Sequence, residues 1–254
     1  MTDLQPSIQP LAHQQALPDS LEEAIVQAQS ATKAALAAGY TRLSIEILFP
    51  ELKVMPIAQQ FVEAFAELGP GLKVFFTDAG TAAWAKQGWG DVPFQCRSVD
   101  VAGSRQTTEA EEHIDEGDKL YIIVAPTAVE VWAVEKLCNQ AGNVPVVIFI
   151  PRLEDVSIVG IGYAGRALRD RFLTTIEPCY YLRPIDDSVA LTRFYPTPWQ
   201  VWVEKEGLWS VAAEELLKPD TEKLDGIIST ALGTGQKGRS IFAELGDFIR
   251  ALGR

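Results

Sequence analysis

The sequence predicts an α/β fold: a three-layer, Rossmann-like domain with a partly parallel sheet and an antiparallel C-terminal extension. Apolar strands that alternate with helices predict the parallel part, because such strands are typical of sheets covered by helices on both faces. Short strands joined by tight turns after Glu177 predict the antiparallel part, since their spacing leaves no room for parallel crossovers. We assign residues 1–17 to a flexible N-terminal arm and residues 18–254 to a single α/β domain.

Each element follows from its periodicity and from the residues that begin or end it. Ser20 and Glu23 form a capping-box pattern before the first helix, and Gly39 ends that helix. The first strand alternates apolar with polar residues, which predicts one buried face. Pro56 and Gly69 bracket the second helix. The predicted helices are 21–38, 57–68, 78–89, 128–142, 165–176, 221–232 and 240–252, and the predicted strands are 42–48, 72–76, 119–126, 145–151, 179–184, 189–196 and 199–207.

Composition limits the classes of function. The chain has 34 acidic and 22 basic residues and a net charge of -12, so we predict no nucleic-acid partner. No apolar run approaches the roughly 18 residues of a membrane span, so we predict no transmembrane segment and only peripheral membrane contact. Three separated cysteines and two histidines form no metal-binding pattern, and we predict no metal. The N-terminal stretch has the pattern of neither a signal nor a transit peptide, which indicates a cytoplasmic protein.

Three glycines at G-x-G-x-x-G spacing occur in VGIGYAGR at 159–166. A dinucleotide fold requires a buried strand directly before such glycines and an acidic residue about 20 positions later. The segment before them, PRLEDVS, is polar, which favours a tight turn over a cofactor site, and we predict no cofactor. Arg166 and Arg169 near the start of the following helix oppose its macrodipole. A bound anion, an acidic partner or an ion pair between Arg166 and Asp170 would relieve this conflict.

Two further patterns lack the context that their chemistry needs. GTGQKGRS at 233–240 has Arg239 where a P-loop has lysine, and no buried strand precedes it, which favours a basic linker between helices. The acidic run at 108–118 lacks the spacing of a calcium loop and favours a solvated helix. Because no nucleophile and base occur in a known pattern either, we predict no catalytic residue.

Two positions follow predicted buried strands at their carboxyl ends, where open α/β sheets bind ligands. Asp78 follows the strand at 72–76, and Pro126 with Thr127 follows the next strand. We name Asp78, Pro126 and Thr127 as a candidate pocket rim. Capping of the next helix is the alternative role for Asp78.

An aromatic residue and three arginines are candidate contacts. Alternation along WQVWVE predicts that Trp202 lies on the wetter side of its strand, near Arg193, and exposed aromatic residues often mark interfaces. The alternative is that Trp202 covers a neighbouring helix. We name Arg166, Arg169, Arg193 and Trp202 as candidate contacts to an anion or a partner protein.

The order of several segments resembles a known family. These segments are LPDSLEEAIVQAQSATKAALAAGYTRLSIEILFPELK, VAPTAVEVWAVEKL, VGIGYAGRALRDRF, YYLRP and RFYPTPWQVW. They are similar to the uncharacterised domain-of-unknown-function family of cyanobacteria and chloroplasts that includes the plant low photosystem II accumulation protein 3. The resemblance implies a role in photosynthetic organisms and assistance in building photosystem II, and it transfers no catalytic residue.

We therefore expect a non-enzymatic accessory or assembly factor. Its expected partners are photosystem II subunits or other assembly factors, and its expected location is the cytoplasm, with peripheral contact at the thylakoid membrane. The alternative is an enzyme or regulator of Rossmann-like fold that binds a nucleotide or another phosphorylated small molecule.

Overall fold

A computed structural model describes residues 16–99, 114–154 and 163–233, which form six α-helices and nine strands. Short 3-10 turns occur at Ala66–Gly71 and Leu173–Thr175. The helices are α1 Leu21–Ala37, α2 Val54–Glu63, α3 Ala79–Gly88, α4 Val131–Gln140, α5 Tyr163–Arg171 and α6 Thr221–Leu232. The strands are β1 Arg42–Ile47, β2 Leu72–Phe76, β3 Gln95–Ser98, β4 Leu120–Val124, β5 Val146–Phe149, β6 Glu177–Asp186, β7 Val189–Phe194, β8 Trp199–Lys205 and β9 Leu208–Glu215.

The strands of the described residues belong to one sheet, in the order β3-β2-β4-β5-β1-β6-β7-β8-β9. Neighbouring strands from β3 to β6 run parallel, and those from β6 to β9 run antiparallel. The predicted fold class is therefore confirmed. The antiparallel strands continue the parallel sheet, because β6 pairs with β1 on one side and with β7 on the other.

Helices cover the sheet on two faces. On the first face, α1, α2 and α3 pack on the parallel strands through a core that includes Ile45 and Phe61. On the second face, α4 and α5 pack on β2, β4 and β5 through residues such as Phe75 and Leu168, and Leu224 of α6 packs on β7 and β8. Among the described residues, neither core cluster of the second face includes a side chain of β1. This strand therefore lies between two helix-covered regions of the second face.

A register shift interrupts the pairing of β1 with β6. It falls between Ser44 and Ile45 and leaves Cys179 as an extra residue of β6. Cys179 and Tyr180 consequently pack against the first-face core, whereas Tyr181 packs on the second face. The thiol of Cys179 donates to the carbonyl oxygen of Ser44 at 3.4 Å.

Local signals fix the ends of two helices as predicted. The Ser20 hydroxyl oxygen accepts from the N–H of Glu23 at 3.1 Å, and the Glu23 carboxylate accepts from the N–H of Asp19 at 2.9 Å. The capping box therefore forms, with its second bond one residue earlier than the standard pattern. Helix α6 has the predicted bounds, and Gly233, with a φ of 69°, ends it.

Several predictions about elements need correction. The described part of the acidic run, residues 114–118, forms a turn rather than a helix, and the Asp118 side chain is only 2% exposed. The second face of β1 is less exposed than the alternation predicts, because Ser44 on that face is only 5% exposed, whereas Glu46 is partly exposed. Helix α2 begins at Val54 and ends at Glu63, and a 3-10 turn replaces its last predicted turn. Strands β3 and β9 are not predicted from the sequence, and both are edge strands.

Several predictions fall outside the described residues. These are most of the N-terminal arm, the acidic run as far as residue 113, Gly160 and Gly162 of VGIGYAGR, most of GTGQKGRS, and the helix at 240–252. They stay predictions, as does the division into an arm and one domain. In the described parts of the chain, no helix is both long and apolar enough to cross a membrane.

Candidate functional site

A groove runs along the second face of β1, and we call it the β1 groove. Its volume is about 340 Å³, near the lower end of the roughly 300–1,000 Å³ that is typical of small-molecule sites. Ser44 and Glu46 of β1 and Pro178 of β6 form its floor. Residues 151–154, the turn after α5 and Lys218 complete its lining. The groove thus combines polar and apolar surface at the middle of the sheet.

The chain reaches the groove through a sharp turn after β5. Ile150 has a φ of 53°, which is unfavourable for a β-branched residue, and it is only 4% exposed. Its N–H donates to the carbonyl of Ile45 at 2.7 Å, and the N–H of Arg152 donates to the carbonyl of Pro126 at 2.8 Å. Burial and these two hydrogen bonds hold the strained turn, so residues 151–154 are fixed at the carboxyl end of β1. Strain of this kind is common at functional sites.

Glu46 supplies the carboxyl group of the groove floor. Burial raises the pKa of Glu46 above its ordinary value, and the negative charge of Glu154 acts in the same direction. The positive charge of Lys218 and a hydrogen bond from the Ser44 hydroxyl, at 3.4 Å, oppose this shift without cancelling it. A carboxyl group in this state exchanges its proton closer to neutral pH, and such groups are concentrated at functional sites.

Lys218 places a positive charge on the groove wall. It is exposed in the connection between β9 and α6, and its ammonium group lies 4.1 Å from the centre of the Tyr181 ring and 5.4 Å from that of Trp199. The two rings pack edge to face with their centres 5.0 Å apart. These cation–π contacts restrict the ammonium group while leaving its N–H donors available.

The predicted pocket rim consists of residues that cap turns and helices. Asp78 is the N-cap of α3, and its carboxylate accepts from the N–H and the hydroxyl of Thr81 at 2.8 and 2.7 Å. These bonds lower the pKa of Asp78. The Glu130 carboxylate accepts from the N–H and the hydroxyl of Thr127 at 2.8 and 2.6 Å. Asp78, Pro126 and Thr127 do not line the β1 groove, although Pro126 bonds to Arg152, which does.

The candidate arginines have different surroundings. Arg166 is exposed on the first turns of α5, and Arg169 on the same helix lies 3.4 Å from the Glu154 carboxylate at the groove. Arg193 is largely buried, and its guanidinium donates to Glu177 at 2.9 Å and to the carbonyl of Thr197. Arg193 therefore ties β7 to the start of β6. A contact of these arginines with an anion or a partner stays a prediction.

The expectation that Trp202 lies on a wet face is wrong. Trp202 is 7% exposed, and its indole N–H donates to the hydroxyl of Thr192 at 3.0 Å. It lies on the first face, in a narrow crevice that residues 16–18 also line. Because α5 packs on the second face, the structure does not bring Trp202 together with Arg166 and Arg169.

Sequence reasoning missed the groove residues Ser44, Glu46 and Lys218. The alternation of Ser44 and Glu46 with apolar residues is typical of the solvent side of a strand, whereas β1 lies inside the sheet. Two polar side chains in an internal strand would identify the site, but this signal requires the strand order. Lys218 lies in a connection and carries no such signal.

The described residues hold no group of three or more His, Cys, Asp or Glu side chains placed to bind a metal ion. No curated protein matches the chain significantly. A family model described as "Domain of unknown function (DUF1995)" matches residues 18–226, which include every strand described above. The chain therefore belongs to the DUF1995 family.

Proposed function

We propose that the protein is a non-enzymatic accessory factor that acts by binding a small ligand in the β1 groove. The observation that carries this proposal is the groove, where Ser44 and Glu46 present polar groups among apolar strands. Taking polar groups out of water is unfavourable unless they are hydrogen-bonded, and a ligand that bonds to them offsets that cost. Ligand binding would then stabilise the folded protein in the state that its partner recognises.

Assembly of photosystem II is the process that we propose for this factor. The support is the resemblance of the chain to the family that includes the plant low photosystem II accumulation protein 3. Its partners would be photosystem II subunits or other assembly factors of a photosynthetic organism, such as a cyanobacterium. It would act in the cytoplasm and in peripheral contact with the thylakoid membrane. The net charge of -12 supports a protein partner over nucleic acid.

Filling the groove tests the proposal. Ile176 lines the groove and is partly buried, so Ile176→Trp would occupy the space of the ligand. Cells that lack the protein are complemented with the wild type, with Ile176→Trp, or with Leu216→Trp as a control at an exposed position outside the groove lining. We expect photosystem II to accumulate with the wild type and the control, and to stay at the level of the deletion strain with Ile176→Trp.

The melting temperature of each purified variant separates loss of function from loss of folding. Leu173→Phe, in the same wall of the groove, provides a second and smaller filling variant. Normal accumulation of photosystem II with both filling variants would contradict a function of the groove in this process.

A second candidate is the enzyme or regulator that binds a nucleotide or another phosphorylated small molecule. The raised pKa of Glu46 beside Ser44 favours it, because enzymes use carboxyl groups of this kind as general acids. The protein is incubated with a panel of nucleotides and sugar phosphates, and the products are followed by mass spectrometry. Turnover by the wild type that Glu46→Gln abolishes favours the enzyme, and binding without turnover favours the accessory factor.

A further inference from the structure

The charged residues of the β1 groove define a chemical class of ligand. We propose that the ligand is a small hydroxylated phosphomonoester, with its phosphate between Lys218 and Arg152 and a hydroxyl group bonded to Glu46. This inference rests on the proposed binding function of the groove and specifies what the groove binds.

The two cations flank the carboxyl end of β1 from its two sides. Arg152 follows β5, which pairs with β1 on one side, and its backbone is tied to Pro126. Lys218 lies over the ring of Tyr181 in β6, the strand that pairs with β1 on the other side. In this pairing Tyr181 lies directly opposite Glu46. A phosphate between the two cations would therefore lie over the carboxyl end of a central parallel strand, where open α/β sheets bind their ligands.

The ammonium group of Lys218 is already restricted in position before an anion binds. The rings of Tyr181 and Trp199 hold its ammonium group, so that less side-chain entropy is lost on binding. Ring faces do not use the N–H donors of the ammonium group fully, and a phosphate oxygen is a stronger acceptor than a ring. Arg152 adds a planar guanidinium that bonds phosphate with two parallel N–H donors.

The balance of charge at the groove also favours an anion. Two cations line it, Lys218 and Arg152, and a third, Arg169, lies 3.4 Å from the Glu154 carboxylate that also lines it. Glu154 is therefore partly neutralised, and Glu46 is the remaining carboxyl group of the lining. Counted together, these are three cations and two carboxyl groups, a local excess of one positive charge in a chain with a net charge of -12.

The floor of the β1 groove indicates which chemical group forms the other end of the ligand. Glu46 bonds to Ser44 at 3.4 Å, a long distance that leaves the acceptor capacity of its carboxyl group largely unused. A sugar or polyol hydroxyl bonds well to a carboxylate, whereas a second phosphate would be repelled. Two cations together with Glu46, the lining carboxyl group that is not paired with Arg169, thus favour a molecule with one phosphate and neighbouring hydroxyl groups.

Calorimetry with three probes tests this assignment. Glucose 6-phosphate carries both groups, inorganic phosphate carries the first and glucose carries the second. We expect glucose 6-phosphate to bind more tightly than either fragment. Lys218→Met should weaken its binding by about tenfold or more, which is the loss expected for a charged hydrogen bond. Lys205→Met, at an exposed lysine outside the groove lining, should leave the affinity unchanged.

Glu46→Gln separates the two ends of the ligand. It should weaken glucose 6-phosphate binding while leaving the affinity for inorganic phosphate unchanged or higher. Two results would overturn the phosphomonoester class. One is that the wild type binds all three probes with equal affinity and Lys218→Met binds them as well as the wild type does. The other is that none of the probes binds. A ligand without phosphate, found by mass spectrometry on the protein purified from its source, would overturn the class but keep the binding function. Only the groove-filling variants described above test that function itself.

Discussion

Asp118 and Glu46 are carboxyl groups at two regions of the same sheet, and their pKa values shift in opposite directions. Asp118 lies before β4, where it accepts from the N–H of Asp115 at 2.8 Å, from Lys73 at 2.7 Å and from the Tyr121 hydroxyl at 2.5 Å. Burial raises the pKa of Asp118, but these three donors together lower it below its ordinary value. Glu46 accepts one side-chain hydrogen bond, from the Ser44 hydroxyl at 3.4 Å, and the effect of burial prevails, so its pKa is raised.

The comparison separates a closed polar site from an open one. Lys73 is 1% exposed and contacts Asp115 and Asp118, so the polar groups of that region satisfy one another inside the protein. Lys218 is exposed and contacts only ring faces among the contacts described above, beside a carboxyl group with spare capacity. A closed network stabilises the fold, whereas an open one retains binding capacity for a ligand.

The largest effect should come from opening the closed site. Lys73→Met removes the ammonium group and leaves the carboxylate of Asp118, whose side chain is 2% exposed, without its cation. We expect a loss of about 3–5 kcal/mol in the free energy of unfolding, measured by urea denaturation. Lys119→Met, at an exposed neighbouring lysine, should change stability by less than about 0.5 kcal/mol. Similar effects of the two substitutions would mean that the network around Lys73 does not stabilise the fold.

The pH dependence of stability should differ in sign between the two carboxyl groups. A lowered pKa stabilises the fold above the ordinary value of 3.8, and this stabilisation is lost as pH falls through the folded value. A raised pKa has the opposite effect, and destabilises the fold as pH rises above the ordinary value of 4.5. At pH 7, Asp118→Asn should therefore unfold more easily than the wild type, and Glu46→Gln less easily.

Both differences should shrink in acid, and thermal unfolding between pH 3 and pH 8 measures them. For Glu46→Gln the difference from the wild type should vanish below about pH 4.5, where the wild-type carboxyl group is protonated in both states. A constant difference across this range would mean that Glu46 acts on stability through packing rather than through its charge.

The smallest effect should come from the open lysine. Lys218→Met removes the cation–π contacts with Tyr181 and Trp199, and at an exposed site we expect a loss of only about 0.5–1 kcal/mol in the free energy of unfolding. Equilibrium denaturation followed by far-ultraviolet circular dichroism measures it, with Lys205→Met as the control. A loss comparable to that of Lys73→Met would show that Lys218 belongs to the structural core of the fold.

Local signals predicted a large part of the fold. The Ser20–Glu23 capping pattern and the apolar run at 72–76 indicate their elements correctly, because the residues that decide them are neighbours in sequence. The edge strands β3 and β9 escaped prediction, since their mixed polar and apolar residues pair on one side only. The fold class was accessible because it depends on the order of such elements along the chain.

The candidate site could not be predicted in the same way. Ser44 and Glu46 acquire their meaning from β5 and β6, which flank β1 although they lie about a hundred or more residues away in sequence. The wrong expectation for Trp202 has the same cause. Alternation predicts the side of β8 on which Trp202 lies, but it does not predict what covers that side. Which faces of a strand are covered is a tertiary property, and periodicity alone does not contain it.

The extra residue at Cys179 decides which aromatic ring lies beside the β1 groove. Strand side chains change sides at every step, so a shift of the pairing by one residue exchanges the two sides for everything that follows. If β6 paired with β1 without the bulge, Cys179 would lie opposite Ile45 and Tyr181 opposite Ile47, so Tyr181 would face the first-face core and Lys218 would lose the ring on which it rests. The bulge at Cys179 thus determines both how β6 pairs with β1 and where the ammonium group of Lys218 lies, the charge that we expect to select the ligand.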